Sequence, residues 1–302
     1  MDNYTNETKA TLEERFIQTV DGVYYGHQPI YGYRTSKAST SCIARYMVTK
    51  SILNALNKYN FKTFADIGGA EGYTANIVQT IFNADVISTD LSENACKMAR
   101  ELFNIRAIPA DIHKLPFNDN EFDMVLCSET IEHVTDYKGA IRELLRITKN
   151  VLVITVPHES EKIVARNIAN KVPHGHINYF DIKTLDYLKE TGLNLQYEKT
   201  LSPLLIVPRV VAEGFKKNGN KLHFRVYNFF TPLFRKMFGI KTANRLTNMD
   251  VKMTKTFGLY QGITFVIEKN GSTKKEQFST IKAGRFTEIK VKEYILNSPG
   301  PA

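Results

Sequence analysis

The chain reads as an α/β protein built on a mostly parallel sheet, and three observations carry that reading. From Thr63 onward, short β-rich runs alternate with helical patterns, the mark of successive βαβ units. The runs are almost continuously apolar, as strands covered on both faces must be. Hydrophobic residues make up 43% of the 302 residues and charged ones 24%, enough to bury a sizeable core.

The elements follow in order. Residues 1–60 are expected to form an N-terminal helical and aromatic cap: a polar start, the stretch YYGHQPIYGYR with Tyr24, Tyr25, His27, Tyr31 and Tyr33, and an amphipathic helix over roughly 41–59. Strands are expected at TFADI (63–67), DVISTD (85–90), RAIPA (106–110), FDMVLCS (122–128) and VLVITV (151–156). Helices TANIVQTIF, ENACKMARELF and DYKGAIRELLRITK join them, the last with Ala140, Ile141, Leu144, Leu145 and Ile147 on or near one face. After Pro157 comes an irregular stretch, then a helix around 182–191 stopped by Gly192. A strand near 193–200 follows, and GITFVIEK (262–269) reads as the last strand of the sheet. The sheet domain is thus expected over 61–201 plus 259–269. Residues 202–258 interrupt it, and 270–302 form a polar tail in which FTEIKVKEYIL alternates as an edge strand would.

Charge is unevenly placed. The net charge is +9, and between Arg209 and Lys255 stand 11 Lys/Arg against two acids, Glu213 and Asp250, so one segment holds the whole excess. In it Phe224, Tyr227, Phe229, Phe230, Phe234 and Phe238 interleave with Arg225, Arg235, Lys236 and Arg245. Three readings stay open: a surface for anionic lipid, a groove for nucleic acid with stacking aromatics, or a lid whose aromatics form a small core over the site. The aromatic N-terminal stretch either closes the site from the other side or simply packs. Cys42, Cys96 and Cys127 lie far apart without a CxxC pair, which argues against a disulfide framework or zinc site and for a reducing compartment. The polar start is unlike a signal peptide, and no run reaches the roughly 18 apolar residues of a membrane span. A soluble cytoplasmic protein is expected, peripheral on the inner membrane surface if the basic segment meets lipid.

The chemistry gathers where the strands end. ADIGGAEGYTA (65–75) places Gly68, Gly69 and Gly72 in a turn between strand and helix, flanked by Asp66 and Glu71. A dinucleotide pyrophosphate suits a helix N-terminus, but two carboxylates would repel it. They suit a ligand with an ammonium, a cationic centre and a ribose. G-G-x-x-G is a weak signal alone. Asp90, 18 residues after Gly72, is placed to accept ribose hydroxyls, Asp111 in ADIHKLPF to accept from an adenine amine, and SETIEHV supplies Glu129, Glu132 and His133. Each has a plainer reading: Asp66 capping the following turn, Asp90 capping the helix from Ser92, Asp111 as a turn residue. His133 is a candidate proton acceptor or a packed turn residue, and His174 and His176 in VPHGHINYF substrate groups or packing. None of these histidines has the sequence spacing of a metal site, so no metal is expected.

From about Phe61 to Thr200 this order of glycine loop, acid, acid and polar turn resembles the class I S-adenosylmethionine-dependent methyltransferases of the broad type 11 group. DIGGAEG is similar to that family's glycine loop, TD at 89–90 to its ribose acid, ADIHKLPF to its adenine segment, and FDMVLCSETIEHV with AIRELLRITK to its fourth strand and helix. The resemblance implies a Rossmann-like methyltransferase sheet, mostly parallel with an antiparallel last strand, an N-terminal helical extension and a helical insertion before that strand. It implies S-adenosyl-L-methionine as methyl donor, held by Asp66, Gly68, Gly69, Gly72, Asp90, Leu91, Asp111, Ile112, Ser128 and Glu129, with His133 and His176 as catalytic candidates. The family's middle glycine is Ala70 here, which costs roughly 1 kcal/mol if the position needs a positive φ. Amino-methylases of this fold carry D/N-P-P-Y/F where SETIEH stands, cytosine methylases need Pro-Cys where Leu126 precedes Cys127, and arsenic methylation needs clustered thiols. O-methylation of a small molecule, sugar or glycan, or lipid-linked intermediate is expected. The alternatives are an RNA methyltransferase, with nucleic acid ranked behind a small acceptor, and a non-catalytic S-adenosylmethionine-binding scaffold.

Overall fold

In the computed structural model the apolar run TFADI forms strand β1 (Thr63–Ile67), buried at four of its five positions, in the middle of a seven-stranded sheet. The structure describes residues 2–17, 42–205 and 240–269, with short pieces at 19–20, 23–24, 222, 225–226 and 229. The other strands are β2 (Asp85–Asp90), β3 (Arg106–Pro109), β4 (Phe122–Ser128), β5 (Thr148–Pro157), β6 (Asn194–Thr200) and β7 (Gly262–Glu268). Their spatial order is β3-β2-β1-β4-β5-β7-β6. All pairs from β3 to β5 are parallel, and β7 runs antiparallel between β5 and β6. This is a Rossmann-like sheet, mostly parallel, with β7 antiparallel to its neighbours. The chain winds outward through β2 and β3, then returns to the other side of β1 with β4. The strand ends splay apart at that reversal and leave a crevice along the carboxyl edge.

Helices cover both faces. The described helices are α1 (Asn3–Arg15), α2 (Cys42–Leu56), α3 (Tyr73–Phe82), α4 (Glu93–Phe103), α5 (Tyr137–Ile147), α6 (Glu161–Ala169) and α7 (Ile240–Phe257). One core joins α2 and α3 to the sheet through Leu53, Phe64, Ile77 and Val153, and the other joins α5 through Ile141, Leu144, Ile154 and Phe265. Caps fix the helix starts: Ser92 accepts from Ala95 N at the head of α4 and Asp136 from Gly139 N at the head of α5.

Two expectations are corrected. The helix expected to be amphipathic over 41–59 is α2, and nearly every described position from Met47 to Leu56 is buried, Thr49, Lys50 and Ser51 included. It lies between the sheet and α7, so its polar groups find partners far away in sequence: Lys50 Nζ donates to Asn248 Oδ1 at 2.8 Å, and Ser51 Oγ lies 3.2 Å from Thr264 Oγ1. The helix expected at 182–191 is a 3₁₀ helix over Asp186–Thr191, with Gly192 in the left-handed conformation after it. Leu185 and Leu188, three apart and both buried, match the three-residue repeat of that tighter helix.

Asp250 of α7 accepts from the backbone N–H groups of Leu201 (2.8 Å) and Ser202 (2.6 Å), pinning α7 to the end of β6. Apart from 202–205, 222, 225–226 and 229, the rest of 202–239 lies outside the described residues, as do Tyr25, His27, Tyr31 and Tyr33 and the tail with FTEIKVKEYIL. Among the described residues no helix is long and apolar enough to cross a membrane.

Phe265, fully buried on β7, tests whether this late strand belongs to the cooperative core. Phe265→Ala is expected to cost about 3–5 kcal/mol of unfolding free energy, read by chemical denaturation. A loss under about 1 kcal/mol would mean that β7 adds little to the sheet.

Candidate active site

The glycine loop is shaped by what crowds it. Gly68 sits at φ +74, and a Cβ there would lie 2.2 Å from Thr130 Oγ1. Gly72 sits at φ +77, and a Cβ there would meet Ala99 Cβ at 2.6 Å. Both positions need glycine for conformation and for space. Gly68 N and Gly69 N both donate to Thr89 O at 2.8 Å, which ties the loop to the end of β2.

Asp90 completes the tie. Its two oxygens accept from Ala70 N (3.0 Å) and Ser92 N (2.9 Å). Burial raises its carboxyl to about 6, with these N–H groups opposing and Glu71 and Glu13 adding to the rise. Asp66 is deeper, 1% exposed. Burial pushes it up to about 7, against a bond from Ala75 N and with a smaller push from Asp90. The structure therefore gives Asp66 the capping contact to α3, while its Oδ2 has no hydrogen-bond partner among the described residues.

A cleft opens at this edge of the sheet. Of the expected residues Gly68, Asp90, Leu91, Asp111, Ile112, Glu129 and His133 line it, whereas Asp66, Gly69, Gly72, Ser128 and His176 stand behind the lining. Asp111 accepts from His113 N (2.9 Å), and its Oδ1 lies 2.8 Å from His113 Nδ1. Glu129 adopts φ +53 and accepts from Thr155 Oγ1 at 3.1 Å.

Sequence reasoning missed the outer wall. Helix α1 lies over the cleft and lines it with Tyr4, Thr5, Thr8, Leu12 and, just past its end, Phe16. It is fastened at both ends. Asp2 accepts from Thr135 Oγ1 (2.6 Å), and Tyr4 Oη donates to Gly175 O (3.1 Å). At the other end Glu13 accepts from Ser92 Oγ (2.8 Å), Glu93 N (2.8 Å) and Asn94 N (3.0 Å), so it caps α4 from outside. Burial works to raise the Glu13 carboxyl, but these donors hold it below its ordinary value. In the described part of the basic segment α7 packs on α2, and none of that part lines the cleft.

Ala70 adopts φ +49, so the conditional strain is real. Its methyl is buried in a cluster with Leu12, Phe16, Ala95 and Met98, and the side chain that strains the loop also seats α1.

A histidine cluster forms the inner wall. His133 stacks on His174 (centroids 3.8 Å apart) and meets His176 edge-on at 4.7 Å. His174 lines the cleft where His176 was expected to. Burial, with the neighbouring histidines, pushes His133 well below its ordinary range, and burial with Arg15 lowers His174 to about 4. Both rings are neutral near pH 7. Glu132, His133 and His176 each bring one ligand atom to within 4.8 Å of the others.

With this geometry in hand, the similarities to known proteins become specific. A family model described as a methyltransferase domain matches residues 65–153. The uncharacterized protein MJ0638 of Methanocaldococcus jannaschii is 33% identical over 175 residues, covering 55% of this chain and 73% of that protein. Residues 65–153 are a methyltransferase domain of the type 11 group. The chain is also 26% identical over 149 residues to a demethylmenaquinone methyltransferase of Staphylococcus saprophyticus, 48% of this chain and 60% of the relative. It therefore spans less than two thirds of that relative's length. A methyltransferase solved with the Trm112 activator from Haloferax volcanii shares the fold at 12% identity and a TM-score of 0.50, covering 80% of this chain and 95% of that one. The cyclase SpnF does so at 14% identity and a TM-score of 0.50, over 87% and 93%. One fold carries different reactions, so the reaction must be argued from the site.

Two outcomes follow. Ala70→Gly is expected to leave stability within about 1 kcal/mol, since relief of left-handed strain is offset by the lost methyl burial. Amide exchange in α1 should quicken, and unchanged exchange would remove Ala70 from the seating of α1. Asp66 holds its proton in the fold to about pH 7 but loses it near 3.8 when unfolded. Its contribution is therefore full below about pH 4 and is lost as pH rises through about 7. His174 acts oppositely between about 4 and 6.5. The difference between wild type and Asp66→Asn, followed by denaturation at several pH values, isolates the Asp66 slope. A pH-independent difference would contradict the assignment.

Proposed function

We propose that the chain transfers a methyl group from S-adenosylmethionine to an oxygen of a small acceptor, a phenol-like, sugar or lipid-linked hydroxyl. The single observation that carries the reading is the cleft itself. Its lining brings together the bare backbone of Gly68, the buried carboxyl of Asp90, Glu129 and a neutral His133.

The residues fit the cofactor. Asp90 lines the cleft at the end of β2, where a carboxyl accepts ribose hydroxyls. Asp111 and Ile112 follow on β3's side, where an adenine edge and face would be met. Asp66 keeps a buried oxygen without a hydrogen-bond partner among the described residues, in keeping with a cationic group nearby. The cofactor, when bound, supplies a methyl group already activated by a sulfonium.

The protein's own task is positioning, exclusion of water and care of one proton. Helix α1 covers one side of the cleft with Tyr4, Thr5, Thr8 and Leu12. His133, which faces Gly175 O with Nδ1 at 3.1 Å, keeps Nε2 available toward an acceptor hydroxyl. A second reading is methylation of a quinol ring carbon, favoured by the demethylmenaquinone methyltransferase relative; it needs the same hydroxyl to lose its proton first. The RNA reading draws on the basic segment, most of which lies outside the described residues.

Calorimetric titration with S-adenosylhomocysteine should give micromolar binding, lost in Asp90→Ala. Labelled methyl transfer to quinol, phenol and glycan acceptors should then yield a methyl ether. Tight binding without transfer to any acceptor would favour a scaffold, a ring-methylated product would favour the second reading, and no binding at all would defeat both.

A further inference from the structure

We propose that Glu132, His133 and His176 form a divalent-cation site in the inner wall of the cleft, suited to a zinc-like first-row transition ion.

The three side chains come from two segments, the 3₁₀ turn Ile131–His133 after β4 and the loop after α6. Backbone and amide bonds join those segments firmly. Ile177 N donates to Glu132 O at 2.9 Å, and Asn178 Nδ2 donates to Ile131 O at 3.1 Å and to Val134 O at 2.6 Å. The ligand atoms are thus held within 4.8 Å of one another by the fold, close enough for one ion to reach all three after small adjustment.

The surroundings of each imidazole fit a ligand better than a packed core histidine. His133 Nδ1 faces Gly175 O at 3.1 Å, and its Nε2 lies 3.7 Å from Glu132 Oε1. His176 Nδ1 lies 2.9 Å from Glu159 Oε2. In His133 the outer oxygen of Gly175 engages Nδ1 and leaves Nε2 beside Glu132, as in metal-bound histidines, where the outer oxygen fixes tautomer and ring plane. At His176 the Glu159 carboxylate stands close to Nδ1 without a hydrogen bond. His174, stacked on His133 at 3.8 Å, further restrains the ring. Arg15 is felt by His133 and His174, and the carboxylates of Glu132 and Glu159 supply negative charge against it.

Donor chemistry narrows the ion. Two imidazoles and one carboxylate are poor ligands for magnesium or calcium, which prefer oxygen throughout, and suit zinc, cobalt or iron(II). Three protein ligands leave positions open, and His133 lines the cleft. On the methyl-transfer reading, an acceptor oxygen could take such a position and become more acidic there. That role rests on the proposed function; the site does not. His133 Nε2 would then serve as ligand and not as the proton acceptor.

The test uses the untagged full chain, freed of metal by chelation and titrated with Co²⁺. Saturable binding of one equivalent is expected, with a visible absorption band that Zn²⁺ displaces. Glu159→Gln should weaken binding by roughly 10-fold, and His176→Ala by more, with the band lost. Circular dichroism and titration with S-adenosylhomocysteine accompany every variant, and Glu132→Gln serves if His176→Ala does not fold. A wild type that binds S-adenosylhomocysteine but gives no saturable Co²⁺ binding overturns the cation site and leaves the cofactor reading standing. Co²⁺ binding unchanged in folded His176→Ala and Glu132→Gln overturns it as well. Co²⁺ binding with the expected variant losses, but no S-adenosylhomocysteine binding, upholds the site and defeats the cofactor reading alone.

Discussion

The carboxylate of Asp90 binds two backbone N–H groups that belong to different pieces of the fold, Ala70 in the glycine loop and Ser92 at the head of α4. Everything at the carboxyl edge is arranged around that bridge. It holds the loop after β1 against the end of β2, and it orients the start of α4. There Glu13 takes the N–H groups of Glu93 and Asn94 and so seats α1. Such charge-assisted bonds are strong where water is scarce. The cost is a buried carboxyl beside two others, Asp66 and Glu71, a concentration of acids that a cationic ligand would relieve.

Much of the fold was legible because covered strands announce themselves. β1, β2, β4, β5 and β7 are apolar runs of strand length, and the loops between them carry the turn residues that end helices and strands. What could not be read was pairing between distant segments. Nothing local in GITFVIE says that it lies between β5 and β6, since that depends on a partner more than a hundred residues away. Helix α2 was misjudged for the same reason. Thr49, Lys50 and Ser51 look like a solvent face, and only the tertiary partners Asn248 and Thr264 make their burial tolerable. Helix α1 escaped notice because its apolar stripe is thin: Thr8, Leu12 and Phe16 recur every four residues in an otherwise polar stretch, with Asp2 as the one clear start signal.

In the site, motif order located the strand ends but not which side chains face inward. Asp90 and Asp111 point into the cleft, whereas Asp66 turns back to cap α3. His174 and His176 differ by two positions, which in a regular strand would put them on one face. The left-handed backbone at His174, φ +51, breaks that regularity, and His174 reaches the cleft while His176 falls behind it beside Glu132. Spacing rules for metal motifs concern ligands on one helix or one hairpin. A set divided between two loops and joined through the Ile177–Glu132 backbone contact leaves no such signature.

The outer wall of the cleft has a kinetic meaning as well. Helix α1 lends Tyr4, Thr5, Thr8 and Leu12 to the lining and is held by Thr135, Gly175 and Ser92. Each loosening of that 13-residue helix widens the cleft on its side, so ligands of very different affinity would share one influence on how fast they arrive and leave.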